Sequence, residues 1–116
     1  MDDSEYLINW TVQIRRGWIE LCVLKALERG ERYGYDLVRM LAGLPGLDVT
    51  EGTLYPLLSR LRLQGLVSTR LVESAEGPAR KYYTLSPRGR RTLARMNDHV
   101  ETLVGQVRRL GDTEDD

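Results

Sequence analysis

Six apolar residues near the end of the chain, Leu93, Met96, Val100, Leu103, Val107 and Leu110, are spaced 3, 4, 3, 4 and 3 apart. This is the a/d seam of a heptad repeat on one long helix, with Val104 beside it. Ser86 is placed to cap its start, Pro87 suits the first helical position, and Gly111 stands just past the end. Such a helix is roughly 36 Å long, at a rise of about 1.5 Å per residue. The chain has 116 residues, enough for one small domain, and the helix outreaches the core that such a domain builds. The seam therefore predicts a partner, and a second copy of the chain is the simplest one. Those six residues are the expected dimer interface.

Upstream, three further helices are predicted. The first runs from about Glu5 to Arg29, capped by Asp3 or Ser4 and closed by Gly30, with Gly17 as a site for a kink or a close helix contact. The second runs from about Tyr35 to Ala42, with Leu37, Met40, Leu41 and Leu44 on its apolar side. The third starts at Thr50, whose hydroxyl is placed to cap it. Leu54, Leu57, Leu58 and Leu61 form its buried stripe, and Gly65 ends it. Two alternating segments follow, 66–73 and 80–85, around the turn-forming Ser74-Ala75-Glu76-Gly77-Pro78. Helix, helix, helix, hairpin is the order of a winged helix-turn-helix. The expected fold is mainly α with a small β-hairpin, extended by the long C-terminal dimerisation helix. Residues 1–85 form the winged unit, 86–111 the dimerisation helix and 112–116 an acidic tail.

Charge and composition remove several functions. One cysteine allows no internal disulfide, and one histidine with one cysteine cannot make a structural zinc site. No metal or other cofactor is expected. There is no phosphate-binding glycine loop, no G-x-S-x-G and no H-E-x-x-H, so no catalytic residues are assigned and the chain is not read as an enzyme. Arg15-Arg16 ahead of a mostly apolar stretch superficially suggests an export signal, but Glu20 and Lys25 interrupt it and it reads as a buried helix face. No membrane span is expected, and the chain reads as cytoplasmic.

Lys+Arg and Asp+Glu both number 17, a formal net charge of zero that by itself argues against a polyanion partner. The charges are unevenly placed. The window 60–95 holds nine basic residues against Glu73 and Glu76, a net +7, while acids gather at both ends. In a winged helix-turn-helix the third helix enters the major groove of DNA and the wing touches the flanking backbone. The outward face of the third helix here carries Gly52, Thr53, Tyr55, Pro56, Ser59 and Arg60 after Thr50, and the wing carries Arg80 and Lys81. With Tyr35 at the second helix, these are the expected DNA-binding residues. Tyr35 and Thr53 would position phosphates, and Tyr55, Pro56 and Ser59 would approach bases. The predicted partners are double-stranded operator DNA and a second copy of the chain. The acidic tail is expected to limit non-specific sticking to DNA.

Three stretches also carry a family resemblance. Tyr33-Gly34-Tyr35-Asp36-Leu37, then Gly52-Thr53-Leu54-Tyr55-Pro56-Leu57-Leu58 with Arg60-Leu61 and Gly65-Leu66, then Gly77 to Leu85 (GPARKYYTL) resemble the PadR-like transcriptional regulators in order and spacing. The departures are small: Asp36 where Glu is common, and Ser86-Pro87 where Thr often stands. With one C-terminal helix, the chain looks like the small members of that family. The resemblance implies a bacterial homodimeric repressor on a palindromic operator, often released by a small-molecule effector. It also implies that the last helix packs on the partner's first helix. Trp10, Ile14 and Trp18 of the first helix would then line a pocket for a planar ligand, or simply pack the interface. Two other readings stay open: a winged-helix adaptor that binds protein, and a redox sensor built on Cys22.

Overall fold

The computed structural model describes residues 1–112. The elements in chain order are α1 (Asp3–Ala26), β1 (Arg32–Tyr33), α2 (Gly34–Ala42), α3 (Glu51–Leu63), β2 (Val67–Ser74), β3 (Gly77–Leu85) and α4 (Pro87–Gly111). The fold is mainly helical with a three-stranded antiparallel sheet in the order β1-β3-β2.

α1 starts before the expected Glu5, because the Asp2 carboxylate accepts from the Glu5 N–H at 2.8 Å. It also ends earlier than expected. Leu27 is fully buried, and the chain turns there through Gly30 at φ 146°. The Arg32 guanidinium then donates to the Ala26 carbonyl at 2.6 Å, satisfying an acceptor at the helix end. Among the described residues none from elsewhere comes within 4 Å of a Cβ position at Gly17, and α1 runs through it uninterrupted. The β1 strand is absent from the sequence reading. It pairs Arg32 with Tyr83 and Tyr33 with Tyr82, and two residues are too few to show an alternation.

α2 buries Leu37, Val38 and Leu41, whereas the expected Met40 and Leu44 are exposed. It begins at Gly34, where a Cβ would stand 2.8 Å from the Tyr83 ring. On α3 the expected stripe is buried, with Leu54, Leu58 and Leu61 at 0% exposure. Thr50 holds the N-cap position, but its hydroxyl lies 3.4 Å from that of Thr53 and caps no backbone N–H. β2 keeps its expected length, shifted by one residue, whereas β3 starts three residues earlier than expected, which leaves only residues 75–76 between them. Pro78 is tolerated inside β3 because β1 pairs only with Tyr82 and Tyr83, so that stretch is an edge. Beyond the body of the protein the alternation stops burying residues: Val67 is 3% exposed but Leu71 is 67% exposed.

The start of α4 is stitched to the loop after α3. The Ser86 hydroxyl accepts from the Gly89 N–H at 2.9 Å and donates to the Gly65 carbonyl at 2.6 Å. Arg88 donates to the Gln64 carbonyl at 2.7 Å. Gly89 is required here, since a Cβ would sit 2.0 Å from the Leu66 carbonyl oxygen. One core runs through all four helices and the sheet, from Leu21, Val23, Leu24 and Leu27 to Val67, Leu85 and Leu93.

The molecule is extended. Its radius of gyration is 17.5 Å and its extents are 66 × 34 × 20 Å. A compact chain of this length would have a radius near about 13 Å. The excess lies in the outer ends of α1 and α4. Tyr6, Leu7, Ile8, Trp10, Val12 and Ile14 are at least half exposed, as are Val107 and Leu110.

Candidate nucleic-acid interface

α3 buries one stripe and turns the opposite face outward. Thr50, Gly52, Thr53, Tyr55, Pro56, Ser59 and Arg60 are all exposed. At 100° per residue they divide. Gly52 and Ser59 oppose the buried stripe, Tyr55 turns toward β1 and the start of α2, and Thr53, Pro56 and Arg60 turn toward α1. The space above Gly52 is open, with only the Thr50 hydroxyl near a Cβ position, at 3.7 Å. Pro56 has no N–H, so the Gly52 carbonyl lacks its intrahelical donor on this face.

Beside Tyr55 lies an arginine–tyrosine cluster. The Tyr33 ring stands 6.1 Å from Tyr35 and 5.5 Å from Tyr82. The Arg80 guanidinium lies over Tyr33 at 4.9 Å, Arg39 over Tyr35 at 5.7 Å and Arg70 over Tyr82 at 5.5 Å. Partial burial, then Glu51 and the neighbouring Tyr33 and Tyr35, push the Tyr55 hydroxyl above its ordinary pKa, so it remains a donor. Tyr33, Arg39 and Tyr82 are absent from the sequence reading of this interface. Their signal was Tyr33 and Tyr82 within the family-like stretches, but only the β1–β3 pairing makes them neighbours.

The wing is pinned to the body. Arg70 on β2 makes a two-pronged pair with Glu31, one contact at 2.6 Å. The hydrogen bond from Arg70, more than its charge, holds the Glu31 carboxyl below its usual range. Arg80 and Lys81 are both exposed but point to opposite faces of β3, because side chains alternate along a strand. Arg80 shares the face of Tyr82, while Lys81 shares the face of Tyr83 and Leu85, which farther along covers the core.

Part of the basic window is engaged within the protomer. Arg60 pairs with Glu20 of α1 at 3.0 Å, so its guanidinium is not simply open to DNA as expected. Arg70 pairs with Glu31, while Arg88 and Arg90 donate to the carbonyls of Gln64 and Glu28.

The seam on α4 divides as well. Leu93 is 2% exposed and sits in the protomer's own core, so its assignment to a dimer interface is corrected. Met96 and Val100 pack partly on that core, and Leu103, Val107 and Leu110 are exposed. Between α1 and α4 runs an apolar groove of about 750 Å³, lined by Ile14, Trp18, Leu21, Met96, Val100 and Leu103 among others. Trp10 lies outside it, in a shallow depression with Tyr6 and Leu7, so the three expected pocket residues do not meet within one protomer. His99 is on the groove's rim. Cys22 is half-buried, and burial pushes its thiol above its ordinary pKa, the wrong direction for a reactive thiolate. Of the acidic tail, only Asp112 falls within the described residues. No helix among the described residues is long and apolar enough to cross a membrane.

Residues 23–95 match the sequence profile of the transcriptional regulator PadR-like family. The chain is 34% identical over 96 residues to the transcriptional regulator Rv3488 of Mycobacterium tuberculosis, covering 82% of this chain and 87% of that protein. Among solved structures, a PadR family transcriptional regulator from Eggerthella lenta superposes with a TM-score of 0.80 at 33% identity, covering 96% of each chain. A PadR-like transcription factor from Bacteroides fragilis gives 0.74 at 38% identity, covering 88% of this chain and 98% of that one.

Proposed function

The chain belongs to the PadR-like family of DNA-binding transcriptional regulators, and from that premise we propose that it is a homodimeric repressor acting on a palindromic operator. The observation that carries the dimer is the apolar surface on the projecting helices. Trp10 and Ile14 of α1 are each 51% exposed, and Val107 of α4 is 69% exposed. A soluble monomer rarely displays so much apolar surface on elements that point away from its core. Packing α4 on the partner's α1 covers both at once. Met96, Val100, Leu103, Val107 and Leu110 are the α4 residues assigned to that interface.

In the dimer, each α3 enters a major groove. Tyr55, Pro56 and Ser59 approach base edges, and the bare backbone at Gly52 allows close approach. Thr50, Thr53 and Tyr35 bond phosphates. Arg80 and Lys81 hold the flanking backbone from the wing, adding affinity more than specificity. The α1–α4 groove is the region for a small-molecule effector of planar, apolar character. Ile14 and Trp18 supply its α1 wall, and the partner completes it.

Binding to the DNA upstream of the chain's own gene, followed at several salt concentrations, tests this reading. Tyr55→Ala and Ser59→Ala are expected to narrow the gap between operator and mixed-sequence DNA. Arg80→Ala with Lys81→Ala is expected to weaken both and flatten the salt dependence by about one to two units of slope. Unchanged binding in all these variants would refute the assignment. Quenching of tryptophan fluorescence by planar cations or phenolics tests the groove, and no quenching by any of them counts against a tryptophan-lined site.

A further inference from the structure

A second cleft lies between α1 and α3, about 550 Å³ in volume. Arg15, Arg16 and Arg60 line it together with Glu20, Asp48 and Thr53. Three guanidiniums therefore converge beside the flank of α3 that carries Thr53 and Pro56. Each of two carries a local carboxylate: Arg60 pairs with Glu20 at 3.0 Å and Arg15 with Asp48 at 3.9 Å. Both pairs reach outside their own helix. The Arg60 and Glu20 side chains are 54% and 37% exposed, so the pair meets water and any approaching ligand. Asp48 holds its carboxylate from a left-handed backbone position, φ 51°, the only such non-glycine among the described residues.

An exposed ion pair contributes little and exchanges readily. A guanidinium fork donates to a phosphodiester with the geometry it uses for a carboxylate. We infer that the α1–α3 cleft is a second binding locus for DNA backbone phosphate, in which Glu20 occupies Arg60 until a phosphate replaces it. Arg16, exposed beside this pair, extends the locus along α1. Glu20 is thus a residue that tunes affinity: it masks a cation next to the reading helix and discourages binding where the backbone does not reach the cleft. This rests on the reading above that α3 faces the duplex.

The test is salt-dependent binding of the intact protein to a mixed-sequence duplex. The proteins compared are wild type, Glu20→Gln, Arg60→Ala and the double variant, with Tyr55→Ala, measured on the operator, as a reference. Glu20→Gln is expected to tighten binding by about two- to fivefold, as when an exposed pair no longer has to open. Arg60→Ala is expected to weaken it and flatten the salt slope by about one. In the Arg60→Ala background, Glu20→Gln is expected to do nothing further. Equal tightening with and without Arg60 would reduce the effect to net charge and overturn the inference. So would unchanged or weaker binding by Glu20→Gln with an unchanged melting temperature. If Glu20→Gln unfolds the protein, Glu20→Ala and Arg60→Lys report the same coupling, and its absence there is equally fatal. Should Tyr55→Ala weaken operator binding while the Glu20 and Arg60 variants do not couple, the cleft is wrong and the α3 reading stands. Should Tyr55→Ala also leave operator binding unchanged, both fall.

Discussion

At the scale of single residues, the charged side chains do more structural work than the sequence suggests. Arg70 holds Glu31 and covers Tyr82, and Arg80 covers Tyr33. The wing is therefore positioned by the same residue types that would bind DNA. Glu31 has a folded pKa below its ordinary value, so its contribution is complete above the ordinary glutamate pKa of about 4.3 and is lost as pH falls through the lowered value. The wing contact should persist at neutral pH and open only on acidification. An NMR titration of the Arg70 side-chain N–H should show that step, and Glu31→Gln should remove it. Tyr33→Leu should loosen Arg80 and weaken binding to all DNA sequences by about two- to fivefold, as expected for an exposed cation–π contact of about 0.5–1 kcal/mol. These pairings were hidden in the sequence because they join positions far apart, such as 31 and 70. A residue's type was legible there, but its partner was not.

At the scale of elements, periodicity located the four helices, and on α3 it read the buried face correctly, from Leu54 to Leu61. It missed β1, whose two residues carry no pattern and are defined wholly by β3. It also treated the α4 seam as one surface. In the structure Leu93 belongs to the core, while Val107 stands 69% exposed beyond it. A heptad stripe records which face is apolar, not what covers each part of it. The two ends should separate experimentally. Leu93→Ala is expected to destabilise the fold by about 2–5 kcal/mol in denaturant unfolding. Val107→Glu is expected to shift sedimentation toward the monomer while secondary structure is kept. Gly89→Ala should cost at least about 1–3 kcal/mol, because the added methyl would meet the Leu66 carbonyl, and backbone there cannot yield easily.

At the scale of the whole molecule, zero net charge gives way to an uneven distribution. Within the central window Arg60, Arg70, Arg88 and Arg90 are held within the protomer, while Arg80 and Lys81 stay exposed on the wing. The extended shape points the same way. Its radius of 17.5 Å exceeds that of a compact chain because α1 and α4 project apolar faces. In the proposed dimer, two copies joined along those helices would set the distance between their α3 elements, and with it the spacing of what they read. Hydroxyl-radical footprinting on the DNA upstream of the chain's own gene measures that spacing directly. Two protected half-sites related by dyad symmetry, with centres about 34–36 Å apart along one face of the duplex, are the predicted result. A single protected patch, or two without that symmetry, would contradict a dimer that reads a palindrome with paired α3 helices.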